Sequence, residues 1–107
     1  MTRSDFPPLH PGEVLLEEFL KPMALSQHQL ALMMRVAPQK INDIVHGKRG
    51  ITAETALRLA RVLGTTPEFW MGLQSQYDLE TVQEALGSRL QKEVTPLLAE
   101  NKPDYSA

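Results

Sequence analysis

The sequence predicts an all-α protein, and three observations carry that prediction. Five segments repeat apolar residues at about the 3.6-residue helical period, capping or stopping residues bracket them, and no segment alternates apolar and polar residues as a half-buried strand does. At 107 residues the chain forms one domain, long enough to bury roughly two thirds of the surface that its unfolded form exposes. A hydrophobic share of 42% and a charged share of 22%, with no long polar or glycine-rich tract, belong to a globular chain. Residues 1–11, with Pro7, Pro8 and Pro11, read as an extended lead-in, and residues 12–86 as the folded domain. Residues 87–107, with Gly87, Pro96 and "NKPDYSA", read as a partly disordered C-terminal extension.

The first helix, "GEVLLEEFLK", gathers Val14, Leu15, Leu16, Phe19 and Leu20 on one stripe. Glu13, Glu17 and Glu18 fall outside it and suit the positive end of the helix dipole. Pro22, with no donor and a ring that disfavours helical geometry before it, is expected to stop the helix. Ser26 then caps a second, short helix with Leu30, Met33 and Met34 as its buried edge, ending near Met34 or Arg35. The third takes Ala37 as its cap and Pro38 in its first turn, where a missing N–H costs nothing, and Gly47 ends it. Thr52 caps the fourth, whose inner side is expected to hold Ala56, Leu57, Ala60, Val62 and Leu63 before Gly64 closes it. Thr66 and Pro67 open the fifth, which carries Phe69, Trp70 and Tyr77.

The net charge of −2 conceals a segregated pattern. Residues 1–20 set Arg3 against Asp5, Glu13, Glu17 and Glu18, a net −3. Residues 21–61 carry Lys21, Arg35, Lys40, Lys48, Arg49, Arg58 and Arg61 against Asp43 and Glu54, a net +5. Residues 62–107 carry Arg89, Lys92 and Lys102 against Glu68, Asp78, Glu80, Glu84, Glu93, Glu100 and Asp104, a net −4. The middle third can therefore face a polyanion although the chain as a whole is acidic.

Several classes of function are excluded or disfavoured. No cysteine is present, so there is neither a disulfide framework nor a thiolate zinc site. His10, His28 and His46 match no local ligand spacing, so no metal and no cofactor are expected. Glu17 with Glu18, and Glu80 with Glu84, lie on exposed helix faces without a nucleophile or base, which argues against an enzyme and a small-molecule substrate. No apolar run reaches the roughly 18 residues of a membrane span, and the N-terminus lacks the apolar core of a signal peptide, so a cytoplasmic protein is expected.

Only "RVA" separates helices two and three, and Val36 in that turn is flanked by Leu30, Ile41 and Ile44. Two short helices joined by so tight an apolar turn describe a helix-turn-helix. With Ile41, Ile44 and Val45 inward, about 100° per residue turns Gln39, Asp43 and His46 outward, with Lys40 and Asn42 on the shoulders. Gln and Asn bond adenine bidentately, Lys donates to guanine, and Asp accepts from cytosine. Gln39, Lys40, Asn42 and Asp43 are therefore the candidate base-facing residues, although Asp43 can equally hold a neighbouring basic side chain. Ser26, Gln27, Arg35, Lys48 and Arg49 are the candidate phosphate contacts. For the cations the alternative is a solvated charged surface.

The segment from "LSQHQLALMMRVAPQKINDIVHGKRGIT" to "FWMGLQSQYDL" resembles the lambda-repressor-like (Cro/C1, or XRE) helix-turn-helix domain. With "HPGEVLLEEFLKP" before it, the chain resembles the HigA (VapI) antitoxin branch of that family over about Leu9 to Leu79. The resemblance implies a five-helix, dimeric protein that binds double-stranded operator DNA, represses its own operon and neutralises a HigB-like ribonuclease toxin. Carried over by position, Gln27 and Lys48 match backbone-contacting sites, and Gln39, Lys40 and Asp43 match base-facing ones. Two positions depart from the pattern. Arg35 stands where glycine is common, a cost of roughly 1–2 kcal/mol if the residue is left-handed. Pro38 stands where many relatives place a polar reader. Phe69, Trp70, Leu73 and Tyr77 make a stripe that serves the core, a homodimer contact, or both. A stand-alone regulator without a toxin and a pure protein-interaction module remain the rival readings.

Overall fold

The computed structural model describes residues 6–97, and every regular element among them is helical. Helix α1 begins at Pro11–Val14 and continues as the π-helical Leu15–Leu20; α2 is Gln27–Met34, α3 Pro38–Val45, α4 Ala53–Leu63, α5 Pro67–Leu86 and α6 Arg89–Glu93. The last was not expected from the sequence, so the described residues form six helices where five were expected, the sixth over residues 89–93 of the C-terminal extension. Residues 1–5 and 98–107 lie outside the described residues.

Most helix starts follow their local chemistry. The Ser26 hydroxyl accepts from Gln29 N–H at 3.0 Å while Gln29 Oε1 accepts from Ser26 N–H at 2.9 Å, a reciprocal cap. Thr52 and Thr66 cap α4 and α5 by accepting from Thr55 and Phe69 N–H. The end of α1 carries a widened turn that the sequence did not signal. Lys21 N–H reaches back five residues to Leu16, widening the turn directly before Pro22, whose ring excludes the carbonyl four residues back. Helical bonding then resumes from Met23 N–H to Phe19, and the chain leaves through Ala24 at φ 52°. The regular helix thus ends at Leu20, just before Pro22 as expected, and the left-handed Ala24 turns the chain away from it.

The core comprises Leu15, Leu20, Leu30, Ala31, Met34, Ile41, Ile44, Ile51, Ala56, Leu59 and Trp70. Helix α2 packs on α3, α4 on α5, and α1 bridges α3 and α5. Two expected core residues, Met33 and Leu57, are exposed instead. On α2 the buried edge is Leu30, Ala31 and Met34, and Met33 lies about 100° round from Met34. On α4 the inner places belong to Thr55, Ala56, Leu59 and Ala60; buried Thr55 is admitted because its hydroxyl bonds to Thr52 Oγ1 at 3.1 Å.

The molecule measures 54 × 28 × 22 Å, with a radius of gyration of 17.6 Å against about 13 Å for a compact 100-residue domain. The second half of α5 and α6 carry almost only exposed residues. Among the described residues no helix is long and apolar enough to cross a membrane.

Candidate nucleic-acid interface

The turn between α2 and α3 is built on Arg35, which is left-handed at φ 59°, ψ 46°. Val36 N–H donates to Ala31 and Arg35 N–H to Leu32, the paired bonds that close a helix through a left-handed residue. A further carbonyl of the last turn, Met34 O, accepts from Arg58 Nη1 at 2.9 Å, and Arg58 is held in turn by Glu54 at 3.0 Å. Helix α4 therefore fixes the end of α2, and Arg58 belongs to the scaffold. Arg35 projects into solvent beside this junction. We expect Arg35→Gly to raise stability by about 1 kcal/mol by relieving the left-handed strain. If the face is a DNA interface, the same change should weaken DNA binding several-fold by deleting a cation; thermal melts and DNA titrations should move in opposite senses.

The seat of α3 is set by α1. A Cβ on Gly12 would collide with the Ile44 carbonyl oxygen and lie 2.7 Å from its carbon, so only glycine lets α1 approach α3 this closely. The residue before that helix is His10, buried, whose Nδ1 accepts from Gly12 N–H at 2.9 Å and whose ring meets Tyr77 of α5 edge-on at 4.8 Å. Burial holds the His10 pKa below its ordinary 6.5, although Glu13 and Asp78 pull the other way. The folded protein thus binds this proton more weakly than the unfolded chain. Its contribution is complete above about pH 6.5 and falls as the pH drops through the lowered native pKa. We expect the melting temperature to fall between pH 7.5 and 5, and His10→Asn, which keeps a capping acceptor but cannot titrate, to flatten that part of the profile.

The exit of α3 is equally fixed. Gly47 adopts φ +75°, its N–H donates to Ile44, and Lys48 N–H donates to Asp43 at 2.8 Å. Three residues on, Ile51 N–H donates to Gln74 Oε1 of α5 at 2.7 Å, and Gln74 is itself held by Asp78. The Lys48–Arg49 segment is pinned at both ends and presents both cations to solvent.

On the outer face, Gln39 Nε2 donates to Asp43 Oδ1 at 2.8 Å, and Arg49 Nη2 approaches Asp43 Oδ2 at 3.7 Å. Asp43 is thus the hub of a chain linking α3 to the loop after it, which orients Gln39 and lowers the repulsion an acid would offer to phosphates. Asn42 Nδ2 donates to Gln27 Oε1 at 3.2 Å across the two helices. Lys40 is half-buried on the shoulder, Lys48 and Arg49 are exposed beyond it, and Ser26 and Gln27 lie at the start of α2. The structure thus joins these predicted site residues in two sets, Gln27 with Asn42, and Gln39 with Asp43 and Arg49. His46 folds back, its Nδ1 against Asn42 O at 2.8 Å.

The α5 stripe divides differently from expectation. Trp70 is fully buried and donates from Nε1 to Thr65 Oγ1 at 2.7 Å, so it has no surface to offer a second copy. Leu73 packs on the core and Tyr77 on His10; Phe69 packs on Phe19 and Trp70 yet keeps 40% of its surface exposed. On the opposite face of α5, Met71, Leu79 and Val82 are exposed and Leu86 half-buried. Of the residues that shape this interface, sequence reasoning missed His10, Gly12, Arg58 and Gln74. The Glu54/Arg58 and Gln74/Asp78 spacings of four carried a local signal.

Residues 16–70 match the helix-turn-helix family model. Virulence-associated protein I of Dichelobacter nodosus is 49% identical over 82 residues, covering 77% of this chain and 76% of that protein. The structure of Pseudomonas aeruginosa antitoxin HigA with the higBA promoter superposes with a TM-score of 0.82 at 45% identity, over 85% of this chain and 99% of that one. Antitoxin GraA in complex with its operator gives 0.83 at 40% identity, over 92% and 100%. The chain belongs to the Cro/C1-type (XRE) helix-turn-helix family, in the branch that holds HigA and virulence-associated protein I.

Proposed function

We propose that this chain is the antitoxin of a HigBA-type pair, a cytoplasmic protein without catalytic activity that binds its own operator as a dimer and neutralises an RNA-cleaving toxin. The observation that carries the DNA-binding half is the face of α3, with Gln39 oriented by Asp43, Lys40 beside it and a pinned Lys48–Arg49 loop at its exit. The toxin half rests on the family branch. Gln39, Lys40, Asn42 and Asp43 face the bases in this reading, and Ser26, Gln27, Arg35, Lys48 and Arg49 the phosphates.

A single helix-turn-helix covers one half-site, and a dimer spans two at about 34 Å. The exposed residues Met71, Leu79 and Val82 and the half-buried Leu86, with Ser75 among them, run along the outer side of α5 at steps of three and four. That seam supports the dimer reading better than the buried part of the inner stripe, and Phe69 lies at its margin.

The test is a gel shift on the DNA upstream of the gene. Wild type should bind with strong salt dependence. Lys48→Ala should weaken binding about tenfold across sequences and reduce the salt slope by about one unit, whereas Gln39→Ala should relax preference at one base pair by about 1–3 kcal/mol. No salt-dependent shift by the wild type would defeat the operator reading. A shift without a toxin among co-purified neighbours would leave a stand-alone regulator.

A further inference from the structure

We infer that the toxin seats on the apolar groove between α1 and the end of α3; the inference rests on the antitoxin reading above. Leu9, Val14, Leu16 and Val45 floor a groove of about 710 Å³ rimmed by Glu13, Glu17 and Glu18. Leu9 keeps 51% of its surface exposed, and the three carboxylates are exposed. Glu17 is paired with Lys21 at 2.8 Å, a solvent-exposed contact that holds it only weakly. Neither Glu13 nor Glu18 has an ion-pair partner among the described residues.

Charge selects the occupant. DNA is repelled by the rim. A second copy meeting this groove about a two-fold axis would bring the Glu13, Glu17 and Glu18 sets of both chains together. Residues 98–107 carry Glu100 and Asp104 against Lys102, so the chain's own C-terminal segment is acidic too. A protein that grips RNA must instead present lysine and arginine to phosphates. A surface of that kind, with an apolar side chain projecting between its cations, complements both the rim and the floor. The groove includes Val45 but none of Gln39, Lys40, Lys48 or Arg49, so disrupting it leaves the DNA-facing residues in place.

The experiment uses the full chain and the product of the gene beside it as the probe, with binding followed by calorimetry at two salt concentrations. Glu17→Lys/Glu18→Lys should bind that protein at least tenfold more weakly, while its thermal melt matches wild type and its operator shift is at least as strong. Glu68→Lys/Glu80→Lys, the same charge change on α5, should bind it like wild type. Equal binding by the groove variant and the wild type overturns the inference and leaves the antitoxin reading standing. So does equal weakening by the α5 variant, which would make net charge the cause. Failure of the wild type to bind the neighbouring protein would instead remove the antitoxin reading, and the groove assignment with it.

Discussion

Gly12→Ala is expected to lower stability by about 3 kcal/mol, at the upper end of the usual cost of overpacking. That corresponds to a fall in melting temperature on the order of 15 °C for a domain of this size. The added methyl meets backbone, the Ile44 carbonyl, rather than a side chain that can swing away, so relief requires α1 and α3 to part. Parting them also loosens the seat of the helix that faces DNA. Operator affinity should therefore drop even at temperatures where the variant remains folded. Gly72→Ala makes the same chemical change in α5 where the new Cβ meets nothing within 4 Å, and it should stabilise by about 0.5–1 kcal/mol. Circular-dichroism melts of the pair check the argument; a Gly12→Ala protein melting like wild type would show that the close approach does not exist.

Trp70→Ala is expected to cost about 3–5 kcal/mol, a large share of the roughly 5–15 kcal/mol that holds a domain together. Trp70 is fully enclosed, touches Phe19 at 5.3 Å between rings and bonds to Thr65, so its removal leaves a cavity at the junction of α1 and α5. Leu79→Lys/Val82→Lys should behave in the opposite way. Both side chains are more than half exposed, so secondary structure should persist while sedimentation shifts toward the monomer. The two experiments separate the inner face of α5, which supports the protomer, from its outer face, which the dimer reading requires. Folding of Trp70→Ala with an unchanged melting temperature would contradict the enclosure of the indole.

The helix starts were legible because their chemistry is local. Ser26, Thr52 and Thr66 each bond to an N–H three residues on, and Pro38 needs no partner at all. The buried faces were less so, because adjacent apolar residues such as Met33 and Met34 compete for one stripe and neighbouring helices decide between them. Thr55 displaced Leu57 from the inner side of α4 through a hydroxyl bond that hydrophobic periodicity cannot register. At the candidate site, the outward direction of Gln39 and Asp43 followed from the period alone. The bond between Asn42 and Gln27 depends on the angle between two helices, and the one from Ile51 to Gln74 spans 23 positions. His10 was weighed only as a metal ligand and Gly12 only as the start of the first helix, because neither the cap on Gly12 nor the close approach to Ile44 leaves a mark in the apolar period.

The bonds from Arg58 to Met34 and from Gln74 to Ile51 have a consequence for portability. The two-helix motif is closed at one end by a side chain from α4 and at the other by a side chain from α5. Cut out as a peptide, residues 26–50 would lose both closures and the α1 surface beneath Ile44. The motif needs α1, α4 and α5 around it, so a graft of new specificity belongs on the face of the whole helical body and not on the excised pair.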